Sequence, residues 1–136
     1  MVEAQSAKSA ESSKILLVED DPEILNAVVE LLKEEGYALL IAKNGEEALA
    51  LIQKSEPSEI ALILLDLMLP VMSGHEFLTR IKSDPLHPRA RIPIVITSAA
   101  GPAAEQVATL VNGYVKKPMH LEQLLRVISK YVPKAP

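Results

Sequence analysis

The chain has 136 residues, which suits one domain, and 49% of them are hydrophobic, enough to bury a core without a disulfide or structural metal. With no cysteine and three histidines, a disulfide scaffold, thiol catalysis and Cys-based zinc sites are excluded, and a transition-metal centre is disfavoured. A net charge of −4 offers no clustered cationic surface for nucleic acid, and no apolar run reaches the roughly 18 residues of a membrane span.

Residues 1–13 are small and polar, with no apolar period and no signal-peptide core, so a solvated tail and a cytoplasmic protein are expected. Residues 15–18, Ile-Leu-Leu-Val, read as a first buried strand. Glu19 and Asp20 follow, then Asp21 before Pro22, an N-cap preceding a favoured first helical residue. That helix runs to about Glu35, with Ile24, Leu25, Val28, Leu31 and Leu32 on its apolar stripe, and Gly36 closes it. A second strand spans 37–42, Asn44-Gly45 turns the chain, and a helix over 46–54 carries Ala48, Leu49 and Ile52 inward.

After a loop around Pro57, residues 60–65 form the most apolar run in the chain, and Asp66 ends it. A run of this kind is a strand buried on both faces, as in a parallel sheet. Aspartate is disfavoured in strands and rarely buried unpaired, so Asp66 is placed where the strand surfaces. The loop to Gly74 leads into a helix with Phe77, Leu78 and Ile81 inward, and 84–91 is a surface loop. A fourth strand spans 92–97, and a weak helix spans 103–111. A short fifth strand at 113–116 precedes a last helix over 119–132, with Leu121, Leu124, Leu125 and Ile128 inward and a tail from Pro133.

Strands alternating with helices give an α/β fold, a (βα)5 three-layer sandwich with a parallel sheet covered on both faces. Parallel strands bring their C-terminal ends to one edge, where ligands bind in open α/β sheets. Here those ends carry Glu19-Asp20, Asp66, Thr97-Ser98 and Lys116-Lys117. Carboxylates gathered without histidine or cysteine select Mg²⁺ or Mn²⁺. An aspartate can also accept a phosphoryl group, a transfer that needs positioning and charge neutralisation above all.

The residues Val18–Asp21 (VEDD), Leu64–Gly74 (LLDLMLPVMSG), Pro93–Ala99 (PIVITSA) and Tyr114–Pro118 (YVKKP) occur in order at strand ends. In these motifs the chain resembles a response-regulator receiver domain of two-component signalling over about residues 14–132. The resemblance implies a strand order 2-1-3-4-5 and Asp66 as phosphoacceptor. It implies Asp20 as a direct Mg²⁺ ligand, Glu19 as a ligand through water and the Met68 backbone carbonyl as a further ligand. Ser98 is implied as switch hydroxyl, Lys117 before a cis Pro118 as phosphate-binding lysine, and Tyr114 as switch aromatic. Thr97 is expected on the face opposite Ser98. The implied partners are a sensor histidine kinase or histidine phosphotransfer protein and a downstream protein target, with homodimerisation left open. The chemistry is self-catalysed phosphorylation and dephosphorylation, without turnover of a separate metabolite. Ser98 and Lys117 are only 19 positions apart, a few fewer than the family usually has, and the shortening falls on the surface receivers commonly use for partners or dimerisation.

Other readings stand beside this one. A pseudo-receiver would keep the fold and act as a phosphorylation-independent protein-binding module, supported only by the shortened segment. A haloacid-dehalogenase phosphatase wants a second aspartate two residues after the nucleophile, where Met68 stands. A dinucleotide-binding domain lacks its glycine-rich loop after the first strand. Asp21 is read as a cap, Lys116 as a solvated neighbour, and His75, His87 and His120 form no site.

Overall fold

The computed structural model describes residues 13–98 and 107–133. The expected tails, 1–13 and 133–136, lie outside the described residues apart from Ser13 and Pro133. In chain order the elements are β1 (Lys14–Val18), α1 (Pro22–Glu34), β2 (Ala38–Ala42), α2 (Gly45–Lys54), β3 (Ile60–Asp66), α3 (Gly74–Lys82), β4 (Ile94–Ser98), β5 (Gly113–Lys116) and α4 (Leu121–Ser129). Short 3-10 turns occupy Pro57–Glu59, Pro88–Arg91 and Ala108–Leu110. The five strands are parallel in the order β2-β1-β3-β4-β5, as the resemblance implied.

Period-two alternation along the strands divides the core into two sheets of side chains. Leu16, Val18, Ile63, Leu65, Ile94 and Ile96 point to the face covered by α2 and α3, where Ile52, Phe77 and Ile81 pack on them. Ile15, Leu17, Leu62, Leu64 and Val95 point to the face covered by α1 and α4, against Val28, Leu32, Leu124 and Ile128. β3 is central, and every residue of it but Ala61 is buried, Asp66 included. No helix among the described residues is long and apolar enough to cross a membrane.

Caps and breakers place the element ends. Asp21 accepts hydrogen bonds from Glu23 N at 2.9 Å and Ile24 N at 3.4 Å, as expected of the N-cap of α1. Gly36, at φ 87°, ends that helix. The expected turn at Asn44-Gly45 is instead the start of α2. Asn44 Oδ1 accepts from Glu47 N at 2.8 Å, and Glu47 Oε1 accepts from Lys43 N at 3.1 Å, a reciprocal cap. β4 begins at Ile94 rather than Ile92, because Pro93 has no N–H to give the ladder. Its carbonyl still accepts from Ile63 N at 2.9 Å. Of the helix expected over 103–111, residues 103–106 lie outside the described residues, and a 3-10 turn at Ala108–Leu110 follows the buried Val107. The last helix is shorter than expected, and Leu121, expected inward, opens it 40% exposed. Leu121 instead lines a recess shared with Ile24, Ala27 and Val28 of α1.

The β3–α3 loop holds one backbone exception. Val71 sits at φ 66°, in the left-handed region, with its side chain 77% exposed. A β-branched residue is poorly suited to this region, and its exposed side chain gains little packing in return. Asparagine tolerates the conformation without glycine's entropy cost. We expect Val71→Asn to raise unfolding stability by about 1 kcal/mol in urea melts. A loss of stability would show that Val71 is held by packing rather than tolerated.

Candidate functional site at the C-terminal edge of the sheet

The parallel order brings the ends of β1, β3, β4 and β5 side by side. Glu19 continues β1, with its N–H bonded to Ala42 O at 3.0 Å, and its side chain is 2% exposed. Asp66, ending β3, is 4% exposed. Lys117, just past β5, reaches between them. Its Nζ donates to Glu19 Oε1 at 2.8 Å and to Asp66 Oδ2 at 3.0 Å. The second oxygen of each acid is also engaged. Glu19 Oε2 accepts from Asp20 N at 3.1 Å and Asp21 N at 3.2 Å, and Asp66 Oδ1 accepts from Met68 N at 2.9 Å. Asp20 is exposed, and its carboxylate has no hydrogen-bond partner among the described residues. Glu19, Asp20 and Asp66 each offer an oxygen within 4.8 Å of the others.

Two buried acids around one ammonium set the charge balance. Burial pushes the Glu19 carboxyl above its usual range; the Lys117 hydrogen bond opposes the rise and neighbouring Asp66 adds to it. Burial by itself would lower Lys117, but its hydrogen bonds to Glu19 and Asp66 and their charges outweigh that and hold it above the ordinary 10.5. Because the folded-state value is raised, the contribution of the Lys117 pairing to stability is complete at pH 7. It is lost as pH rises through that higher value.

β4 and β5 complete the edge. Thr97 and Ser98 are both buried. Thr97 falls on the Val95 side of the sheet and Ser98 on the Ile94 and Ile96 side, as expected of adjacent strand residues. Asp66 pairs in register with Thr97, so Ser98 lies one residue further toward the edge. Ser98 O accepts from Lys117 N at 2.8 Å and from Tyr114 Oη at 3.3 Å. Tyr114 is thereby tied to the β4 end, 38% exposed, and Lys116 points to solvent. The Lys117–Pro118 peptide is cis, as the resemblance implied.

Residues 15–129 match the response regulator receiver domain family. The chain belongs to that family. It is 34% identical over 116 residues to the transcriptional regulatory protein CpxR of Klebsiella pneumoniae, covering 83% of this chain and 46% of that protein. It is 31% identical over 124 residues to the probable transcriptional regulator ycf29 of Pyropia yezoensis, covering 89% and 54%. The chain thus spans about half the length of these relatives. Among solved structures, a response regulator receiver protein from Pseudomonas putida superposes with a TM-score of 0.78 at 26% identity, covering 87% of this chain and 96% of that one. The chemotaxis response regulator CheY4 of Vibrio cholerae gives 0.76 at 29%, covering 87% and 97%.

One support of this receiver domain's acidic pocket, and one brace at the opposite ends of β4 and β5, are not among the expected site residues. A Cβ at Gly74 would lie 2.6 Å from both Asp66 O and Leu67 Cα, backbone atoms that have no room to yield. The start of α3 therefore rests directly on the backbone of the acceptor candidate. The motif places a glycine there, but only the fold shows what it touches. At the other end of these strands, Asn112 holds the start of β5 to β4. Its Oδ1 accepts from Ile94 N at 3.0 Å and its N–H donates to Ile94 O at 2.7 Å.

Removing Lys117 leaves two buried carboxylates facing each other. Lys117→Met is expected to cost about 3 kcal/mol in urea denaturation at pH 7 without divalent ions. Adding Asp66→Asn should recover roughly half of that loss, because one of the two charges is gone. Equal losses in the single and double variants would refute this charge account. Gly74→Ala should be destabilising on its own, by about 2 kcal/mol or more, with amide shifts reaching Asp66 and Met68 in NMR spectra.

Proposed function

We propose that this chain is a phosphoacceptor receiver, in which Asp66 takes a phosphoryl group from a phosphohistidine donor. The observation that carries the reading is the Lys117 ammonium held between Glu19 and Asp66, at the strand ends of a receiver-family fold. One Asp66 carboxylate oxygen forms the new P–O bond as the donor's P–N bond breaks, and the imidazole leaves with a proton. Lys117 is placed to follow the charge onto the phosphoryl oxygens. Ser98, buried beside Lys117 at the end of β4, supplies the switch hydroxyl.

The donor set fits a hard cation, since three carboxylates converge without histidine or sulfur. Asp20, Asp66 and the Met68 carbonyl would hold Mg²⁺, or Mn²⁺, directly, and Glu19 would hold it through water. When bound, the ion supplies neutralisation of the charge that accumulates on transfer. Exposed Asp20 is the member free to meet it.

The partners that fit are a histidine kinase or histidine phosphotransfer protein upstream and a protein target downstream, in the cytoplasm. Phosphorylation would shift a two-state equilibrium in the β4–β5 face through Ser98, Tyr114 and Lys117. The domain turns over no separate metabolite. A pseudo-receiver is disfavoured because acceptor, acids and lysine are all in contact range.

Intact mass after incubation with acetyl phosphate and Mg²⁺ tests this. The wild type should gain one phosphoryl group, while Asp66→Asn, Asp20→Asn and wild type in chelator should not. An unmodified wild type, even with a phosphohistidine domain as donor, would establish the pseudo-receiver instead.

A further inference from the structure

Neither the family assignment nor the phosphoacceptor chemistry gives Thr97 a role. It follows Ile94, Val95 and Ile96 on β4, all buried and aliphatic, and is itself only 5% exposed. A hydroxyl taken out of water costs free energy unless it is hydrogen-bonded. Yet the Thr97 hydroxyl has no hydrogen-bond partner among the described residues. Unlike the fully enclosed Arg89 Nε, which also lacks a partner, it keeps some accessible surface, so another group can reach it.

Register places that hydroxyl inside the site. Asp66 pairs with Thr97 across β3 and β4, and Thr97 pairs with Val115 across β4 and β5. Paired residues on neighbouring strands stand side by side on one face, about 4.8 Å apart. Alternation puts Asp66 on the face of Leu64, Thr97 on that of Val95 and Lys117 on that of Val115, the face covered by α1 and α4. Lys117 accordingly lines a recess with Ile24 and Val28 of α1.

Lys117 has to cross β4 to reach its partners. It starts just past β5, and the acids it meets belong to β1 and β3, with β4 in between. On that face, the β4 side chain in register with Asp66 is Thr97. An ammonium has three protons. Two go to Glu19 and Asp66, and the third has no partner among the described residues. A spare donor and a spare acceptor therefore lie along one path without being bonded to each other. While Glu19 and Asp66 hold the ammonium, nothing draws it to the hydroxyl. Phosphoryl transfer changes this, because an Asp66 oxygen bonded to phosphorus passes its charge outward and loosens its hold on Lys117.

We propose that Thr97 is a positioning residue for Lys117. Its hydroxyl oxygen accepts the third ammonium proton as Lys117 turns from Asp66 to the incoming phosphoryl group. The cation then stays over β4 instead of swinging into solvent. The inference rests on the phosphoacceptor reading and adds to it a residue that acts through Lys117 without touching the phosphoryl group.

The test follows intact mass over time with Mg²⁺ and a range of acetyl phosphate concentrations, beside urea melts of the same proteins. Valine matches threonine in shape and lacks the hydroxyl; serine keeps the hydroxyl and loses a methyl. Thr97→Val should lower the maximal rate of labelling roughly tenfold, the worth of one hydrogen bond to a charged group, with the half-saturating concentration unchanged. Thr97→Ser should stay within about threefold of the wild type. Thr97→Val should have a urea midpoint no lower than the wild type, because its hydroxyl is unpartnered at rest; a purely structural role would lower it. Equal maximal rates in wild type and Thr97→Val would overturn the proposal and leave the phosphoacceptor reading standing. So would a Thr97→Ser protein as slow as Thr97→Val, or a lowered urea midpoint in Thr97→Val. A wild type that takes up no phosphoryl group would remove the phosphoacceptor reading, and this proposal with it.

Discussion

The arrangement depends on one ammonium between two buried carboxylates. Glu19 and Lys117 are 98 positions apart in the chain, yet their side chains meet at 2.8 Å. Without a cation, the chain would have to bury two acids side by side, and one would take up a proton or pull the strand ends apart. With it, both acids stay near an edge that would otherwise repel itself. On the phosphoacceptor reading, the pairing also keeps the pocket ready for chemistry. A cation that holds Asp66 in place is the same group that can stabilise charge added to it.

The sheet makes that meeting possible. Parallel strands deliver β1, β3 and β5 to the same edge, and the two layers of aliphatic side chains fix their relative height. A one-residue slip of β3 would turn Leu62 and Leu64 to the wrong layer and carry Asp66 away from Lys117. Backbone contacts refine the position. Met68 N–H orients one Asp66 oxygen, Gly74 lets α3 rest on the Asp66 carbonyl, and Lys117 N–H is tied to Ser98 O. The β4 and β5 ends are thus linked through backbone hydrogen bonds as well as through the site. Tyr114 adds a side-chain bond to the same carbonyl.

The two edges of the sheet differ in how their charges are answered. Among the described residues, every buried charge at the C-terminal edge has a partner, and the remaining acid, Asp20, is exposed. At the N-terminal edge the Arg89 guanidinium is partly buried with its Nε unanswered, although Glu56 lines the same recess. The first is a closed set of paired groups with one exposed acid beside it.

Much of this was legible in the residues. Aliphatic runs ending in acids, hydroxyls or lysines mark strands that surface at one edge, because burial forces polar groups to strand ends. Asp21-Pro22 and Gly36 mark the ends of α1 through local backbone chemistry. Local chemistry was ambiguous where one pair of residues serves two geometries. Asn44-Gly45 suits a turn and a helix cap equally, and only Glu47 reaching back to Lys43 N decides for the cap. Leu121 fits the apolar period of α4, yet in the helix's first turn it stays 40% exposed beside α1. What tertiary structure alone decided are contacts between distant segments: Lys117 bridging Glu19 and Asp66, Gly74 against the Asp66 backbone, and Asn112 bracing β4. The chain by itself determined which groups lie at which edge, since strand direction and periodicity are local properties. Their pairing is set by packing and register across the sheet, which depend on residues far apart in sequence.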